Sequence, residues 1–378
     1  MRKQKISNVL KKMEALGLSG ILVRNPENVL YLTGYWPTIG RSLLFMGSEG
    51  ESRLLAPASE REFVPEDCVD RVEWQQDEGL DSIFDPYPRF KQFLGQLKGK
   101  IGVEMGSEVV STVHVGTEVS YASCRTFDLV REAGGEPVDF SSELERLRQQ
   151  KDEEDVMKIT TSYELAAVGL REGQSRLKEG MSEAELASLI EYAINSSVGY
   201  RGTQRVRAYA FVMSGDRGSV AYYPFNTSSE KKIRENESVL IELDVQADGY
   251  WSDTTRTWFI NPSKELRDRY EAVLEANEAA VRAAKIGARA ADVDTVARQV
   301  IKERGYESEF FTRLGHGVGY RHHELPALHP ASKDIILEGA VFTVEPGVYA
   351  KGFGIRIENG VVATPSGGRR LDVAPMDL

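Results

Sequence analysis

Carboxylates that lie inside apolar, strand-like segments constrain the fold of this chain more than any other feature. The segment 239–244 reads Val-Leu-Ile-Glu-Leu-Asp, and the segments 341–347 and 354–359 each place one glutamate among apolar residues. Because successive strand residues point to opposite faces, Glu242 and Asp244 are predicted to share one face. A buried carboxylate is costly unless it is paired, protonated or bound to a metal. The pattern therefore favours sheets that gather these acids around a cation.

Two more segments add an aspartate and a cluster of histidines. The strand-like segment 249–259 contains Asp253, for which the alternative interpretation is an ion pair with Arg256 on a solvated face. Four of the five histidines lie between residues 316 and 329, beside glycines that permit close backbone approach. Together the five segments indicate a metal site more strongly than a set of separate structural residues.

The first part of the chain alternates predicted helices and strands. A helix is predicted at 6–16, a turn at 25–28 from its Asn and Pro content, and a turn-rich break at 134–137. The predicted strands lie at 21–23, 42–46, 54–55 and 101–104. This alternation predicts an α/β domain over residues 1–145. The second domain, 146–378, opens with a long helical pattern.

The second domain contains a weak internal repeat. Ser182 and Glu185 have the spacing of a capping box, at the start of a helix whose apolar face runs through residues 186–194. A similar apolar face recurs at 293–301, as expected for duplicated halves. Helices also share this periodicity by chance, so both interpretations stay open.

Charge and cysteine content limit the partners and the compartment. The formal net charge is −11 and the Lys and Arg residues are scattered, whereas nucleic-acid binding needs a clustered basic face. No apolar run approaches the roughly 18 residues of a membrane span. The two cysteines, Cys68 and Cys124, cannot form a disulfide framework, which favours a reducing compartment. We therefore expect a cytoplasmic protein with neither a nucleic-acid nor a membrane partner.

Three short motifs carry a family resemblance. They are Ser-Asp-x-Thr-Arg-Thr at 252–257, Val-Glu-Pro-Gly at 344–347 and Gly-Ile-Arg-Ile-Glu at 354–358. In combination they resemble the metal-site signature of the superfamily of Xaa-Pro aminopeptidases, prolidases and methionine aminopeptidases, over roughly residues 150–378. Residues 28–34 resemble the creatinase/prolidase N-terminal domain. The resemblance implies an N-terminal α/β domain followed by a C-terminal α+β domain with the pita-bread fold.

The resemblance also implies an activity and a set of site residues. It implies a metal-dependent enzyme that cleaves Xaa-Pro bonds in small peptides, by chain size a dipeptidase, and that forms a homodimer. Two divalent ions of Mn, Co, Fe or Zn would be held by Glu242, Asp253, His316, Glu345 and Glu358. His323 would contact the substrate and its reacting carbonyl, and Arg356 would support the bridging carboxylates and water.

Two positions depart from the family pattern. Glu242 stands where the family has its first aspartate, so we expect weaker occupancy on that side, with Asp244 available as a supplementary ligand. Tyr222 stands where the family has a substrate-binding histidine. A phenol with a reference pKa of about 10 cannot serve as a base near neutral pH. Tyr222 therefore either donates a hydrogen bond to the substrate carbonyl or oxyanion, or packs beside Tyr223.

These departures leave two other functions open. One is a non-peptide hydrolase or lyase on the same scaffold, as in creatinase, ectoine hydrolase and the dimethylsulfoniopropionate lyases. The other is a catalytically weakened binding protein. The shared fold does not decide among these functions.

Overall fold

The computed structural model describes residues 2–76, 85–106, 120–220 and 227–376. The chain divides into two compact units, Met1–Arg148 and Gln149–Leu378. None of the helices in the described ranges is both long enough and apolar enough to cross a bilayer.

The first unit contains a six-stranded mixed sheet in the order β4-β3-β2-β1-β5-β6. Its strands are β1 (Gly20–Val23), β2 (Leu43–Gly47), β3 (Ser52–Pro57), β4 (Arg71–Gln75), β5 (Lys100–Val103) and β6 (Glu136–Asp139). Its helices are α1 (Arg2–Leu16), α2 (Pro26–Thr33), α3 (Tyr87–Leu94), α4 (Cys124–Glu132) and α5 (Ser141–Arg148). Leu22 and Leu55 of the sheet share a buried core with Phe90 and Val130 of the helices. The predicted α/β class of this unit is confirmed.

One predicted turn of this unit lies inside a helix, and the second half of the predicted break at 134–137 lies inside a strand. The prediction of a turn at 25–28 is wrong, because α2 begins at Pro26. Proline suits the first position of a helix, where a backbone N–H has no intrahelical acceptor. Pro137, placed in a turn-rich break, lies in β6 at the edge of the sheet. An edge strand tolerates the missing N–H that would disrupt a central strand.

In its described residues, the second unit combines two antiparallel sheets, a hairpin and four long helices. The helices are α6 (Glu153–Arg176), α7 (Glu183–Asn195), α8 (Lys264–Ala283) and α9 (Ala290–Glu303). The three-stranded sheet consists of β7 (Val206–Ser214), β8 (Ser238–Ala247) and β9 (Tyr250–Phe259). The remaining strands are β10 (Gly315–Gly317), β11 (Glu324–Leu328), β12 (Val341–Val344), β13 (Gly347–Ala350), β14 (Phe353–Arg356), β15 (Asn359–Thr364) and β16 (Gly367–Arg370). Strands β13 and β14 form the hairpin, and the others form a sheet in the order β11-β10-β12-β15-β16.

Each sheet of the second unit is covered by a pair of helices. Residues of α6 and α7 share one apolar core with β7, β8 and β9. Residues of α8 and α9 share a second core with β11–β15 of the other sheet and the hairpin, including Phe342 and Val361. A recurring helix pair on an antiparallel sheet accounts for the matched apolar spacing seen in the sequence. The predicted α+β class of this unit is confirmed.

The long helical pattern that opens the second domain is interrupted. Helix α5 ends at Arg148, and α6 begins only at Glu153. The Asp152 side chain accepts from the Asp155 N–H at 3.0 Å, and the Asp155 side chain accepts from the Asp152 N–H at 2.9 Å. This reciprocal capping box satisfies backbone donors at a helix start, which is why the helix begins there.

The predicted capping box of α7 is confirmed and can be tested. The Ser182 hydroxyl accepts from the Glu185 N–H at 3.1 Å, and the Glu185 carboxylate accepts from the Ser182 N–H at 2.6 Å. We expect Ser182→Ala to lower the free energy of unfolding by about 1 kcal/mol, because one backbone donor loses its acceptor. Urea denaturation measures the change, and Ser188→Ala on the exposed face of the same helix is the matched control. Equal losses in both variants would contradict the capping role.

Candidate metal centre

Strands β8 and β9 place their acidic residues on one face of the three-stranded sheet. Asp244 lies opposite Asp253 in the register, and Glu242 lies opposite Thr255. Directly opposed residues of an antiparallel pair project to the same face, so these four side chains share one face, as the alternation predicts. Asp244 and Asp253 are each 1% exposed. Two carboxylates are thus buried side by side.

A bulged strand brings His316 to the acids. The register of β10 against β11 shifts between His316 and Gly317, which marks a β-bulge. A Cβ at Gly315 would collide with the Thr343 carbonyl oxygen, and one at Gly317 with the Leu325 carbonyl oxygen. The two glycines therefore permit the close strand approach that positions the imidazole.

The proton of His316 can be assigned from its contacts. His316 Nδ1 lies 3.0 Å from the Gly317 carbonyl oxygen, which can only accept, so Nδ1 carries the proton. Burial and the charge of Arg313 lower the pKa of His316 to about 4, so the ring is neutral near pH 7. The bare Nε2 then lies 3.2 Å from Asp253 Oδ2 and 3.5 Å from Glu345 Oε1. A divalent cation between these three electron-rich atoms would compensate them.

Two buried carboxylate oxygens point to the same conclusion. Asp253 Oδ1 and Glu358 Oε1 have no hydrogen-bond partner in the described part of the chain. Leaving a buried polar group unsatisfied typically costs about 1–3 kcal/mol, and more for a charged group. Burial raises the pKa of Glu358 well above its ordinary value, and the charges of Asp253 and Glu345 raise it further. A bound cation would satisfy these oxygens and offset the crowded negative charge.

A threonine and an arginine organise the opposite side of the cluster. Thr255 Oγ1 lies 2.8 Å from Glu242 Oε2 and 2.6 Å from Glu358 Oε2, and its single proton serves one of them at a time. Arg356 Nε donates to Thr255 Oγ1 at 2.8 Å, and Arg356 Nη2 forms an ion pair with Glu242. Arg356 Nη1 donates to Tyr349 Oη at 3.0 Å. The guanidinium is therefore fixed beside the carboxylates.

The ligand atoms of all five residues predicted to hold metal lie close together. Glu242, Asp253 and Glu358 offer atoms within 4.8 Å of one another, and so do His316, Glu345 and Glu358. Carboxylate oxygens with one imidazole nitrogen form a hard-to-borderline donor set, which suits Mn, Fe, Co or Zn. The residues present therefore fit divalent metal ions.

Two histidines adjoin this cluster, and one of them was not predicted. His323, the predicted substrate-contacting residue, lies with its ring centroid 3.9 Å from that of His316. His322 was not assigned a role, yet its Nε2 lies 2.8 Å from Asp244 Oδ1 and 3.0 Å from Asp253 Oδ2. The available signal was the adjacent histidine pair together with a second acid at position 244.

Two predictions need separate comment. Tyr222 lies outside the described residues. The alternative interpretation of Asp253, an ion pair with Arg256, is wrong: Arg256 Nη2 pairs with Asp372 at 2.6 Å, and both side chains are buried. The two residues are three apart in β9, so they project to opposite faces.

Comparison with known proteins now identifies the class. The family described as metallopeptidase family M24 matches residues 157–365, and the creatinase/prolidase N-terminal domain matches residues 5–150. A protein named Xaa-Pro dipeptidase from Pyrococcus furiosus is 30% identical over 380 residues, covering 100% of this chain and 99% of that protein. The chain belongs to metallopeptidase family M24, and membership of this family implies divalent metal ions.

Solved structures agree with this assignment. The prolidase from Pyrococcus horikoshii OT3 has a TM-score of 0.79 at 27% identity, with 99% of each chain covered. The Xaa-Pro dipeptidase from Bacillus anthracis has a TM-score of 0.80 at 25% identity, covering 100% of this chain and 99% of that one. The similarity spans both units, so the predicted order of an N-terminal creatinase/prolidase-like domain and a pita-bread domain is confirmed.

Metal binding should stabilise the protein measurably. We expect Mn²⁺ or Zn²⁺ added to metal-free protein to raise Tm, because a ligand at one hundred times its Kd contributes about 2.7 kcal/mol. Asp253→Asn should lose most of this shift, whereas Asp292→Asn, on the exposed surface of α9, should retain it. Differential scanning fluorimetry with calorimetric titration provides the measurement. An undiminished shift in Asp253→Asn would contradict the site.

Proposed function

We propose that this chain is an Xaa-Pro dipeptidase that holds two divalent cations through Glu242, Asp253, His316, Glu345 and Glu358. The observation that carries the proposal is a pair of buried oxygens, Asp253 Oδ1 and Glu358 Oε1, which have no hydrogen-bond partner among the described residues and lie beside a His316 Nε2 that bears no proton. The similarity to the Pyrococcus furiosus Xaa-Pro dipeptidase along the whole chain supports the substrate class.

The side chains around the cluster have distinct roles in this proposal. Divalent ions bound there would supply an activated water and polarise the scissile carbonyl. His323 donates a hydrogen bond to the carbonyl oxygen as negative charge develops on it. Arg356 balances the carboxylate charge through its ion pair with Glu242 and its contact with Thr255. The role of Tyr222, either a hydrogen-bond donor to the substrate or a packing partner of Tyr223, stays a prediction from the sequence.

The substitution of glutamate for aspartate at position 242 affects only one side of the cluster. Glu242 is longer than aspartate by one methylene, and its Oε2 is already engaged by Arg356 and Thr255. The side formed by His316 and Glu345 has no such substitution. We therefore propose that the ion held by His316 and Glu345 binds more tightly than the ion held by Glu242. Manganese is the metal we would test first, followed by cobalt, iron and zinc.

The proposal also covers the oligomeric state of the protein and its cellular compartment. We propose a homodimer, on the family resemblance, and action in the cytoplasm, on the low cysteine content. Light scattering at micromolar concentration tests the first point, and a species of about 42 kDa would contradict it.

An activity screen tests the proposed reaction. We expect release of free proline from Xaa-Pro dipeptides by the Mn-loaded protein, and no release of alanine from matched Xaa-Ala dipeptides. Creatine, ectoine and dimethylsulfoniopropionate in parallel reactions test the alternative hydrolase and lyase functions. Turnover of one of these compounds without proline release would replace the proposal, and no turnover by a metal-loaded protein would favour the weakened binding protein.

Arg313 supports a preference for dipeptides over longer peptides. Its guanidinium is close enough for its positive charge to lower the pKa of both His316 and Glu345. In the described ranges Arg313 has no ion-pair or hydrogen-bond partner, although it is half-buried. A partly buried cation beside the reaction centre is suited to the free carboxylate that a dipeptide carries next to the scissile bond.

Substitution of Arg313 tests this preference. We expect Arg313→Gln to lower kcat/KM for an Xaa-Pro dipeptide by about 10- to 100-fold, the value of one lost charge-assisted hydrogen bond. For the same dipeptide with an amidated C-terminus, the substitution should lower kcat/KM only slightly, because that substrate lacks the carboxylate. Arg289→Gln, at an exposed position, is the control. Equal losses on the acid and the amide would contradict the assignment.

The role of His323 is tested by separating turnover from metal content. We expect His323→Ala to lower turnover by roughly a hundred- to a thousandfold, because a positioned donor to the developing oxyanion is lost. Metal content should stay at the wild-type value, since His323 is assigned to the substrate. Elemental analysis measures the metal content, and steady-state kinetics on one Xaa-Pro dipeptide measure the turnover. Unchanged turnover would remove His323 from the site.

A further inference from the structure

The residues that lead into β10 lie beside the metal centre. Phe311 contacts Tyr349, with 5.8 Å between the ring centroids, and Tyr349 Oη accepts a hydrogen bond from Arg356 Nη1. Arg313 follows Phe311 by two positions. The segment 310–313 therefore carries the guanidinium that is assigned above to the substrate carboxylate, and the position of its backbone decides where that guanidinium lies.

Arg298 of α9 binds the backbone of this segment at two points. Its Nη1 donates to the Phe310 carbonyl oxygen at 3.1 Å, and its Nη2 donates to the Thr312 carbonyl oxygen at 2.6 Å. The guanidinium carbon also lies 4.4 Å from the centroid of the buried Phe310 ring. One side chain thus holds two alternate carbonyl groups of the segment.

Asp294 fixes the guanidinium of Arg298 from the same helix. Arg298 Nε donates to Asp294 Oδ1 at 2.5 Å, and Nη2 donates to Asp294 Oδ2 at 3.1 Å. An exposed ion pair four residues apart on a helix contributes little to stability and uses only the donors that face the carboxylate. Here the Asp294 side chain is fully buried, and two further donors of the fork are directed at another segment of the chain.

We propose that Arg298, held by Asp294, is a positioning residue that fixes the segment 310–313 so that Arg313 meets the carboxylate of a dipeptide substrate. The proposal rests on the function proposed above, because Arg313 is assigned there to that carboxylate. It adds two residues of α9, which act on substrate selectivity through Arg313 and not through the metal ligands.

Both flanks of the segment are anchored independently of Arg298. On the N-terminal side, Arg269 of α8 donates to both carboxylate oxygens of Glu309, each at 2.9 Å. On the C-terminal side, the Leu314 carbonyl oxygen accepts from the Glu345 N–H at 2.7 Å. Substitution of Arg298 should therefore release the middle of the segment while the protein stays folded and its metal ligands stay in place.

The decisive variants are Arg298→Met and Arg298→Lys in the Mn-loaded protein. Methionine keeps an unbranched apolar stem and removes every donor. Lysine keeps a positive charge beside Asp294, but a single ammonium cannot reproduce the planar fork that reaches both carbonyl groups. Arg304→Met is the matched control, because Arg304 follows α9 directly and pairs with Glu275 at the surface.

The variants should change substrate binding more than turnover. We expect both Arg298 variants to raise KM for an Xaa-Pro dipeptide by about 10-fold, because the substrate carboxylate loses part of its contact with Arg313. The value of kcat should change by less than about threefold, and so should kcat/KM for the C-terminally amidated dipeptide. Metal content should match the wild type. Equal losses on the acid and the amide, or loss of metal in step with activity, would overturn the proposal.

A double-mutant cycle tests whether Arg298 acts through Arg313. We expect Arg298→Met to cause no further rise of KM in the Arg313→Gln background, because the charged group that Arg298 positions is absent there. A rise as large as that in the wild-type background would show that Arg298 acts by another route, and would overturn the proposal.

Limited digestion with trypsin separates this proposal from the proposed function, because it needs no substrate. Cleavage of the bond between Arg313 and Leu314 requires local opening of the segment. We expect cleavage at this bond, identified by mass spectrometry of the fragments, to be about 10-fold faster in Arg298→Met and unchanged in Arg304→Met. An unchanged rate in Arg298→Met would overturn the inference. Faster cleavage without proline release from any Xaa-Pro dipeptide would overturn only the proposed function.

Discussion

The centre of the second unit depends on Asp253, a buried carboxylate contacted by two imidazoles. Its Oδ2 lies 3.2 Å from His316 Nε2 and 3.0 Å from His322 Nε2, while its Oδ1 has no hydrogen-bond partner among the described residues. Burial raises the pKa of Asp253, but the charge and the hydrogen bond of His322 act against burial, and the pKa of Asp253 lies well below its ordinary value. Asp253 is therefore ionised, and its charge raises the pKa of Glu345 and Glu358. Burial, together with that charge, raises the pKa of Glu345 to about 7 despite the opposing effect of Arg313.

The strands around the cluster fix the positions of its charged side chains. The paired strands β8 and β9 fix the spacing of Asp244 and Asp253, and the bulge at Gly317 directs His316 toward them. Arg256, on the opposite face of β9, donates to the Glu358 carbonyl oxygen and pairs with Asp372. This buried ion pair links β9 to Asp372, on the face of β9 that points away from the acids. Rigid strands on both sides explain how unlike ligands from distant parts of the sequence stay within a few ångströms of one another.

Much of this arrangement could be predicted from the sequence because it depends on local rules. The alternation of residues predicts that Glu242 and Asp244 share one face, and the spacing of Ser182 and Glu185 predicts the start of a helix. The turn predicted at residues 25–28 failed because proline is favoured at a helix start as well as in turns. His322 was missed for a different reason: its partners Asp244 and Asp253 lie 78 and 69 positions earlier, and only the sheet register brings them to it. Long-range pairing of this kind leaves no periodic signal in a single sequence.

Anomalous diffraction from crystals grown with Mn²⁺ tests the central claim most directly, because it locates the cations and their ligands independently of activity. We expect a strong peak in contact with His316 and Glu345, and a second, weaker peak in contact with Glu242, Asp253 and Glu358. Asp244 and His322 should contact neither peak. No anomalous peak within the cluster at millimolar Mn²⁺, or a peak bound by His322 and Asp244, would contradict the proposed metal centre.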